Sequence, residues 1–393
     1  MPKRGNNDGT VRLRKDGRWE GRYTAGYDAE GEQIQRSVYA PTQEEAQKKL
    51  REVLRQLDRG EYADPSVISV AEWLDTWFRV YGRPRWRDST AAEHFRNINN
   101  NLKPGLGRYK LQKLRPDHIQ AYINRQAAIG RAPASIRKQL EPLRASLKQA
   151  VANSLITKDP SINLSIPPAA PREIDFLTVE AQHKLLKALP VSTYGRALQF
   201  ILGTGLRASE LCGLRWQDIA GDSFTIKQAV QRVLDLDWEE GDKKPKYKLS
   251  ASSPKTKAGR RTIPLTDRMI KLLAAQKDAQ LKDRLRAGSA WAGGIPGQGE
   301  TFVFSNELGE AIDRSNLGRV LRASLDAAGV KRCGVHALRH TFATNCVRAG
   351  VDVRTLSEMI GHTKIAFTLQ QYVHTNLSTM REAMGAVEGM GGF

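Results

Sequence analysis

The sequence predicts a multidomain chain, mainly α with small β-sheets: an N-terminal three-stranded sheet plus helix, an all-α region, and a mixed α/β, mostly helical C-terminal region. Three observations predict it. The chain has 393 residues, too many for one domain when a domain holds roughly 100 to 200. Strand-like pieces open the chain, and from Val70 onward the apolar spacing turns helical.

The first segment, residues 1–64, starts with VRLRKDGRWEGRYTAGY and QIQRSVYA, broken by the turn residues of KDG and DAEGE. A helix follows in TQEEAQKKLREVLRQLDRG. Ala46, Leu50, Val53, Leu54 and Leu57 share one face, Thr42 with Glu45 forms a capping box, and Gly60 stands where a C-terminal stop belongs. YADPSVIS reads as a linker.

In the second segment, 65–171, Val70, Trp73, Leu74, Trp77, Phe78 and Tyr81 form a wide apolar stripe. Further helices are expected in STAAEHFRNINNNL, RPDHIQAYINRQAA and SIRKQLEPLRASLKQAVANSLI, the last kinked at Pro142. SIPPAAP, residues 165–171, is stiff and closes the segment. The third segment spans 172–393.

Lys plus Arg outnumber Asp plus Glu by 62 to 42, a net charge of +20 that calls for a polyanionic partner. Residues 1–64 hold 13 basic against 12 acidic residues, 65–171 hold 17 against 7, and 172–393 hold 32 against 23. With no amphipathic basic helix of the membrane-surface kind and no apolar run of about 18 residues, nucleic acid is the better partner and no membrane association is expected. MPKRGNNDG has no apolar stretch of a secretory signal, so the protein is expected to work in the cytoplasm. Cys212, Cys333 and Cys346 are too few and too scattered for a disulfide framework or a zinc cage.

Four polar clusters punctuate the third segment. In GTGLRASELCGLRWQDI, an apolar helix (Ala197, Phe200, Ile201) runs through Gly203 and Gly205 to Arg207, with Glu210 three residues on, on the same helical face. SSPKTKAGRRTIPL reads as a β-hairpin turning at KAG, with Lys255 and Lys257 near its tip and RRTIPL alternating outward and inward. HALRHTFATNCVRAG places His336 and Arg339 on one helical face. His336 and His340 are spaced for a metal, but further ligands are missing and no metal is expected. GHTKIAFTLQQYVH carries His362 in a loop after TLSEMIG, and Tyr372.

Two arginines, a lysine, two histidines and a tyrosine suit one task, making and breaking a phosphodiester without metal. Guanidinium forks match the charge that spreads over the equatorial oxygens. A phenol with free pKa about 10 becomes a nucleophile once its proton is removed or shared. A lysine on a loop can protonate the departing oxygen.

The order R…K…HxxR…H…Y, with TGLRASELCGLRW, PKTKAGRRTIPL, HALRHTFAT and IGHTKIAFTLQQYVH, resembles the tyrosine recombinases, especially the integrases of phages and integrative conjugative elements. The resemblance spans the third segment by motif; the first two resemble that family's arm-site-binding and core-binding domains by architecture and composition.

Carried over, the resemblance implies that Tyr372 attacks the scissile phosphate to leave a 3′-phosphotyrosyl link, that Arg207 and Arg339 clamp the non-bridging oxygens, and that Lys255 protonates the leaving oxygen. Lys257 stays open as the alternative acid. His336 and His362 would hydrogen-bond the phosphate and manage the tyrosine proton, and Glu210 would support the arginines. One phosphoester replaces another, so no cofactor, ATP or obligatory metal is implied.

The two strongly basic segments could close around a duplex, with affinity falling steeply in salt. In the first segment Arg12, Arg14, Lys15, Arg18 and Arg22, with Trp19 and Tyr23 interleaved, suit a sheet placed in the major groove; a solvated sheet used for protein contacts is the other reading. The tail, with Leu377, Met380, Met384 and Val387 near helical spacing, could dock on a neighbouring protomer of a homotetramer or fold back on its own core. Partners implied by the resemblance are double-stranded DNA at core and arm attachment sites, with a host DNA-bending protein and an excisionase left open. The expected function is integration and excision of a mobile element on the bacterial nucleoid. The rivals are a type IB topoisomerase and a non-catalytic DNA-binding regulator.

Overall fold

The computed structural model describes residues 9–27, 31–58, 68–168, 175–237, 246–253, 259–293, 301–361, 384 and 388. The chain divides into two compact units, Met1–Ala170 and Pro171–Phe393.

The first unit opens with an antiparallel sheet of β1 (Thr10–Leu13), β2 (Trp19–Tyr27) and β3 (Gln33–Ala40), in that spatial order. Helix α1 (Gln43–Asp58) covers one face, burying Ala46 and Leu50, with Val53, Leu54 and Leu57 half-buried. One half of the predicted capping box holds its start, the Thr42 hydroxyl accepting from the Glu45 amide at 3.3 Å. Gly21 lets helix and sheet approach closely, since a Cβ there would lie 3.0 Å from Val38 and 3.3 Å from Leu50. Tyr23, two residues on and so on the same face, is buried. This corrects the expectation that Tyr23 interleaves with the basic residues as a surface aromatic; it belongs to the core beneath them.

The rest of the unit is helical: α2 (Val70–Trp77), α3 (Asp88–Asn97), α4 (Lys103–Leu106), α5 (Pro116–Ala128) and α6 (Pro133–Ala152). Ser69 and Glu72 close a reciprocal capping box on α2, with bonds of 3.2 and 2.7 Å. The expected stripe is the buried face, and Trp73 adds an indole N–H bond to the Ser146 carbonyl of α6 at 2.9 Å. Single π turns, Phe78–Gly82 and Ile98–Leu102, continue α2 and α3. Helix α6 runs through Pro142, which cannot donate to the Lys138 carbonyl; the Asn97 side chain of α3 does so instead, at 3.4 Å.

The second unit carries α7 (Val179–Ala188), α8 (Thr193–Thr204) and α9 (Ala208–Cys212), then β4 (Ile219–Ala220), β5 (Ser223–Thr225), β6 (Ala229–Leu234), β7 (Tyr247–Ser252) and β8 (Thr262–Pro264). Helices α10 (Asp267–Ala287), α11 (Arg314–Ala327), α12 (Val335–Arg348) and α13 (Val353–Ile360) follow. Buried α8 sits at the centre, with Phe200 tilted against Phe224 and Phe304 at centroid distances of 5.4 and 5.6 Å. Two buried glutamines of α10 satisfy the irregular backbone beside them, Gln276 donating to the Val303 carbonyl and Gln280 to that of Phe302.

The sheets correct one expectation. Strand β7 pairs with β6, whereas β8 pairs with β5 in a separate sheet, so the strands flanking PKTKAG do not form one hairpin ladder. The alternation expected of RRTIPL is present: Arg261, Ile263 and Leu265 point inward, and Arg260, Thr262 and Pro264 outward. The pattern does not reveal the partner strand. Register within a strand is local, whereas pairing is settled by packing across the unit.

Candidate active site

Helix α8 ends at Gly205, whose φ of 68° is left-handed and whose Cα lies so close to Phe342 that a Cβ would meet that ring at 2.4 Å. The helix stops there instead of running on to Arg207, and Arg207 becomes the residue that caps the short α9. Glu210 turns back, accepting from the Arg207 amide at 3.0 Å and from its Nη1 at 2.7 Å. The pair is as predicted, but it is no surface ion pair, because Glu210 is only 7% exposed.

A residue that sequence reasoning passes over completes it. Arg261, 8% exposed, sets Nη1 and Nη2 against the two Glu210 oxygens at 3.1 and 2.9 Å. Four N–H groups thus converge on one carboxylate. Burial alone would raise its pKa; the Arg261 bond and charge, then Arg207, outweigh that and bring it down to about 2. The signal is the period of two in RRTIPL: with Ile263 and Leu265 inward, Arg261 has to face inward as well, and a buried arginine demands an anionic or carbonyl partner.

Arg339 on α12 is 1% exposed, and two helix ends compensate its charge. Its Nη1 donates to the Gly205 carbonyl at 2.7 Å and its Nη2 to the Ile360 carbonyl. Carbonyls at helix C-termini lack intrahelical donors and carry the negative end of the dipole, so a guanidinium is well suited to them.

The end of α13 is fully accounted for this way. The Gly361 amide serves the Ser357 and Glu358 carbonyls. The next three carbonyls each take a different arginine: Met359 from Arg261 Nε at 2.6 Å, Ile360 from Arg339, and Gly361 from Arg207 Nη2 at 3.2 Å. Gly361, at φ 65°, immediately precedes His362.

His336 lies one turn before Arg339 on α12, solvent-accessible on one side. Desolvation by the protein packed on its other side, then His340, Arg339 and Arg207, pushes its pKa down to about 4. The imidazole is therefore neutral near pH 7 and able to accept a hydrogen bond. His340 packs edge-on at a centroid distance of 4.6 Å, its own pKa lowered by burial and then by Arg339.

Of the predicted catalytic set, Arg207, Arg339 and His336 are thus brought together, with Glu210 as the predicted support. Lys255, Lys257, His362 and Tyr372 lie outside the described residues, as do Leu377, Met380 and Val387 of the tail. Among the described residues no helix is long and apolar enough to cross a membrane.

In the first unit, register places Arg12, Glu20, Arg22, Ser37 and Tyr39 on the sheet face opposite α1. Glu20 lies in the middle, accepting from Ser37 Oγ at 2.8 Å and Arg12 Nε at 2.7 Å, with Arg22 at 4.0 Å; these bonds bring its pKa down to about 2. Arg14 and Arg18 lie over the Tyr39 ring and share Asp16. Trp19 is half-buried on the α1 side, and Lys15 is exposed in the β1–β2 turn.

A model of the phage integrase family matches residues 175–378, and one described as "Phage integrase, N-terminal SAM-like domain" matches residues 69–126. The chain is 30% identical over 363 residues to a "Tyrosine recombinase XerC-like" protein of Caldanaerobacter subterraneus subsp. tengcongensis, covering 89% of this chain and 90% of that one. The fold is similar to that of the Tn1549 transposon integrase in complex with a circular intermediate DNA, with TM-score 0.64 and 21% identity, covering 81% of this chain and 99% of that one. It is also similar to the lambda integrase tetramer bound to a Holliday junction, with TM-score 0.57 and 17% identity, covering 94% of this chain and 97% of that one.

Proposed function

Because the chain belongs to the phage integrase family, tyrosine recombinases with DNA strand transferase activity, we propose that it integrates and excises a mobile element by cutting and rejoining DNA through a 3′-phosphotyrosyl link. The observation that carries the reading is the pocket itself. Arg207, the cap of α9, and Arg339 on α12 both reach the carbonyls of the α13 end, directly before His362. Two guanidiniums gathered at one place, Arg339 buried and Arg207 partly open to solvent, are suited to the two non-bridging oxygens of a phosphodiester.

In this reading the Tyr372 oxygen attacks phosphorus while the bond to O5′ breaks. His336 and His362 hydrogen-bond the phosphate and manage the proton that the phenol gives up, with His336 neutral and so able to accept a hydrogen bond. Lys255, or Lys257 in its place, delivers a proton to the departing 5′ oxygen. Rejoining runs the same steps backwards with a 5′-hydroxyl from the other duplex, so no energy source is consumed. Arg207 and Arg339 hold the charge that develops on the phosphorane, and Glu210 holds Arg207. The tetramer on a Holliday junction formed by the lambda integrase supports a homotetramer here; in this reading the apolar spacing of Leu377, Met380, Met384 and Val387 suits a tail that docks on a neighbouring protomer.

The experiment is covalent trapping on a nicked suicide duplex carrying the element's own junction, beside a two-site recombination assay. A Tyr372-dependent protein–DNA adduct and recombined product are expected, and both should vanish in Tyr372→Phe. No adduct with the native chain would leave only a DNA-binding regulator; an adduct with supercoil relaxation but no two-site product would make it a topoisomerase.

A further inference from the structure

We propose that Arg261 is a positioning residue for strand cleavage, one guanidinium that holds Arg207 through Glu210 and fixes the last turn of α13 through the Met359 carbonyl. The proposal rests on the functional reading above. Its starting point is that the three N–H positions of this fork are divided between two structures the reaction must keep in register. Nη1 and Nη2 take the Glu210 oxygens at 3.1 and 2.9 Å, and Nε takes Met359 O at 2.6 Å.

Glu210 Oε1 is shared between Arg207 Nη1 and Arg261 Nη1, and Oε2 between the Arg207 amide and Arg261 Nη2. The carboxylate plane is therefore set from both sides. Remove Arg261 and Glu210 keeps only its bonds to Arg207, whose side chain is 36% exposed and otherwise held by its Nη2 bond to the Gly361 carbonyl. The direction of the Arg207 fork would then be set less tightly. At the same time the Met359 carbonyl would lose its donor at the end of the helix that leads to His362. Arg261 itself stands behind Glu210, inside the core edge of β8, where the inward face of the strand places it. It acts on the phosphate through Arg207, and a displacement of about 1 Å in such a group is enough to slow chemistry roughly 100-fold. A lysine cannot replace it, since the three N–H groups of an ammonium radiate from one nitrogen, whereas Glu210 and Met359 are reached from three nitrogens of a planar fork.

The test is single-turnover cleavage of the nicked suicide duplex by the full chain at saturating DNA, with DNA affinity and melting measured on the same preparations. Arg261→Met should slow adduct formation about 100-fold with affinity changed less than about threefold. Arg261→Lys should recover only part of the rate. Because Arg261 and Glu210 act as one unit, Arg261→Met combined with Glu210→Gln should be no slower than about threefold below the worse single variant. Folded Arg261→Met cleaving at the native rate would overturn the proposal, and so would full multiplication of the two single effects. If Arg261→Met lacks a cooperative melt, Arg261→Lys decides: a native cleavage rate there equally overturns it. Failure of the functional reading shows separately, as absence of any Tyr372-dependent adduct in the native chain.

Discussion

The protein builds the same motif twice, a glutamate bonded by arginines, and the two copies differ in where the arginines end. On the N-terminal sheet, Glu20 is buried beneath Arg12 and Arg22, whose side chains remain 59% and 43% exposed. In the second unit, Glu210 is equally buried, but Arg261 is buried with it and Arg207 only partly open. The carboxyl pKa is about 2 in both, brought down first by the Ser37 and Arg12 bonds at Glu20, and by Arg261 and Arg207 against desolvation at Glu210. What differs is freedom. Exposed guanidiniums can turn from a carboxylate to a DNA phosphate at little cost, whereas those tied to helix ends are preorganised for one geometry. The first arrangement suits affinity that varies with salt, and the second suits chemistry.

The contrast can be broken most sharply at Arg339. Arg339→Ala should lower the single-turnover cleavage rate by 100-fold or more, because it removes a preorganised donor pair, while DNA affinity changes little. Denaturant unfolding should also register the change, since the Gly205 and Ile360 carbonyls are left without this donor.

Next in size is Glu210→Ala, which strands Arg261 in the core and should cost about 3–5 kcal/mol in denaturant unfolding. Glu20→Ala should lower the stability of the chain far less, because its arginines already face water. Comparable losses at the two positions would erase the distinction.

Acid sharpens it further. His336 has a folded pKa near 4 against an ordinary 6.5, so its contribution is complete above about 6.5 and is lost as pH falls towards 4. Glu210, near 2 against 4.5, contributes above about 4.5 and loses that between 4.5 and 2. The melting temperature should therefore fall in two stages on acidification. His336→Gln should reduce the upper stage, to which His340 and His94 also contribute, and Glu210→Gln the lower, to which Glu20 also contributes, as read by calorimetry across pH 7 to 2.5.

The smallest effect is expected on the sheet. Arg12→Ala and Arg22→Ala should each weaken binding to arm-type DNA and make the slope of log affinity against log salt shallower by about 0.9 for every phosphate left unneutralised. Cleavage of a substrate holding only core DNA should be unchanged.

Much of this is legible in the sequence because it is local. The Thr42 cap of α1, the apolar stripe of α2, the Arg207–Glu210 spacing and the pairing of His336 with Arg339 on one helix all involve residues within one or two turns, where periodicity alone sets who faces whom. Tyr23 escapes such reading because alternation in β2 states that two faces exist but not which one receives α1. Lys255 and Tyr372, by contrast, come from motif resemblance, and their placement is a matter for the cleavage assay.

By itself the sequence determined the succession of helices and strands, the basic surplus and the residue types of the pocket, all of them properties of neighbours along the chain. Only the tertiary structure decided that β8 joins β5 and not β7, that Arg261 faces Glu210 across 51 positions, and that three arginines meet three consecutive carbonyls of α13. The reason is physical. A buried guanidinium must find acceptors, but many acceptors would satisfy it, and the choice among them is made by the packing of the whole unit.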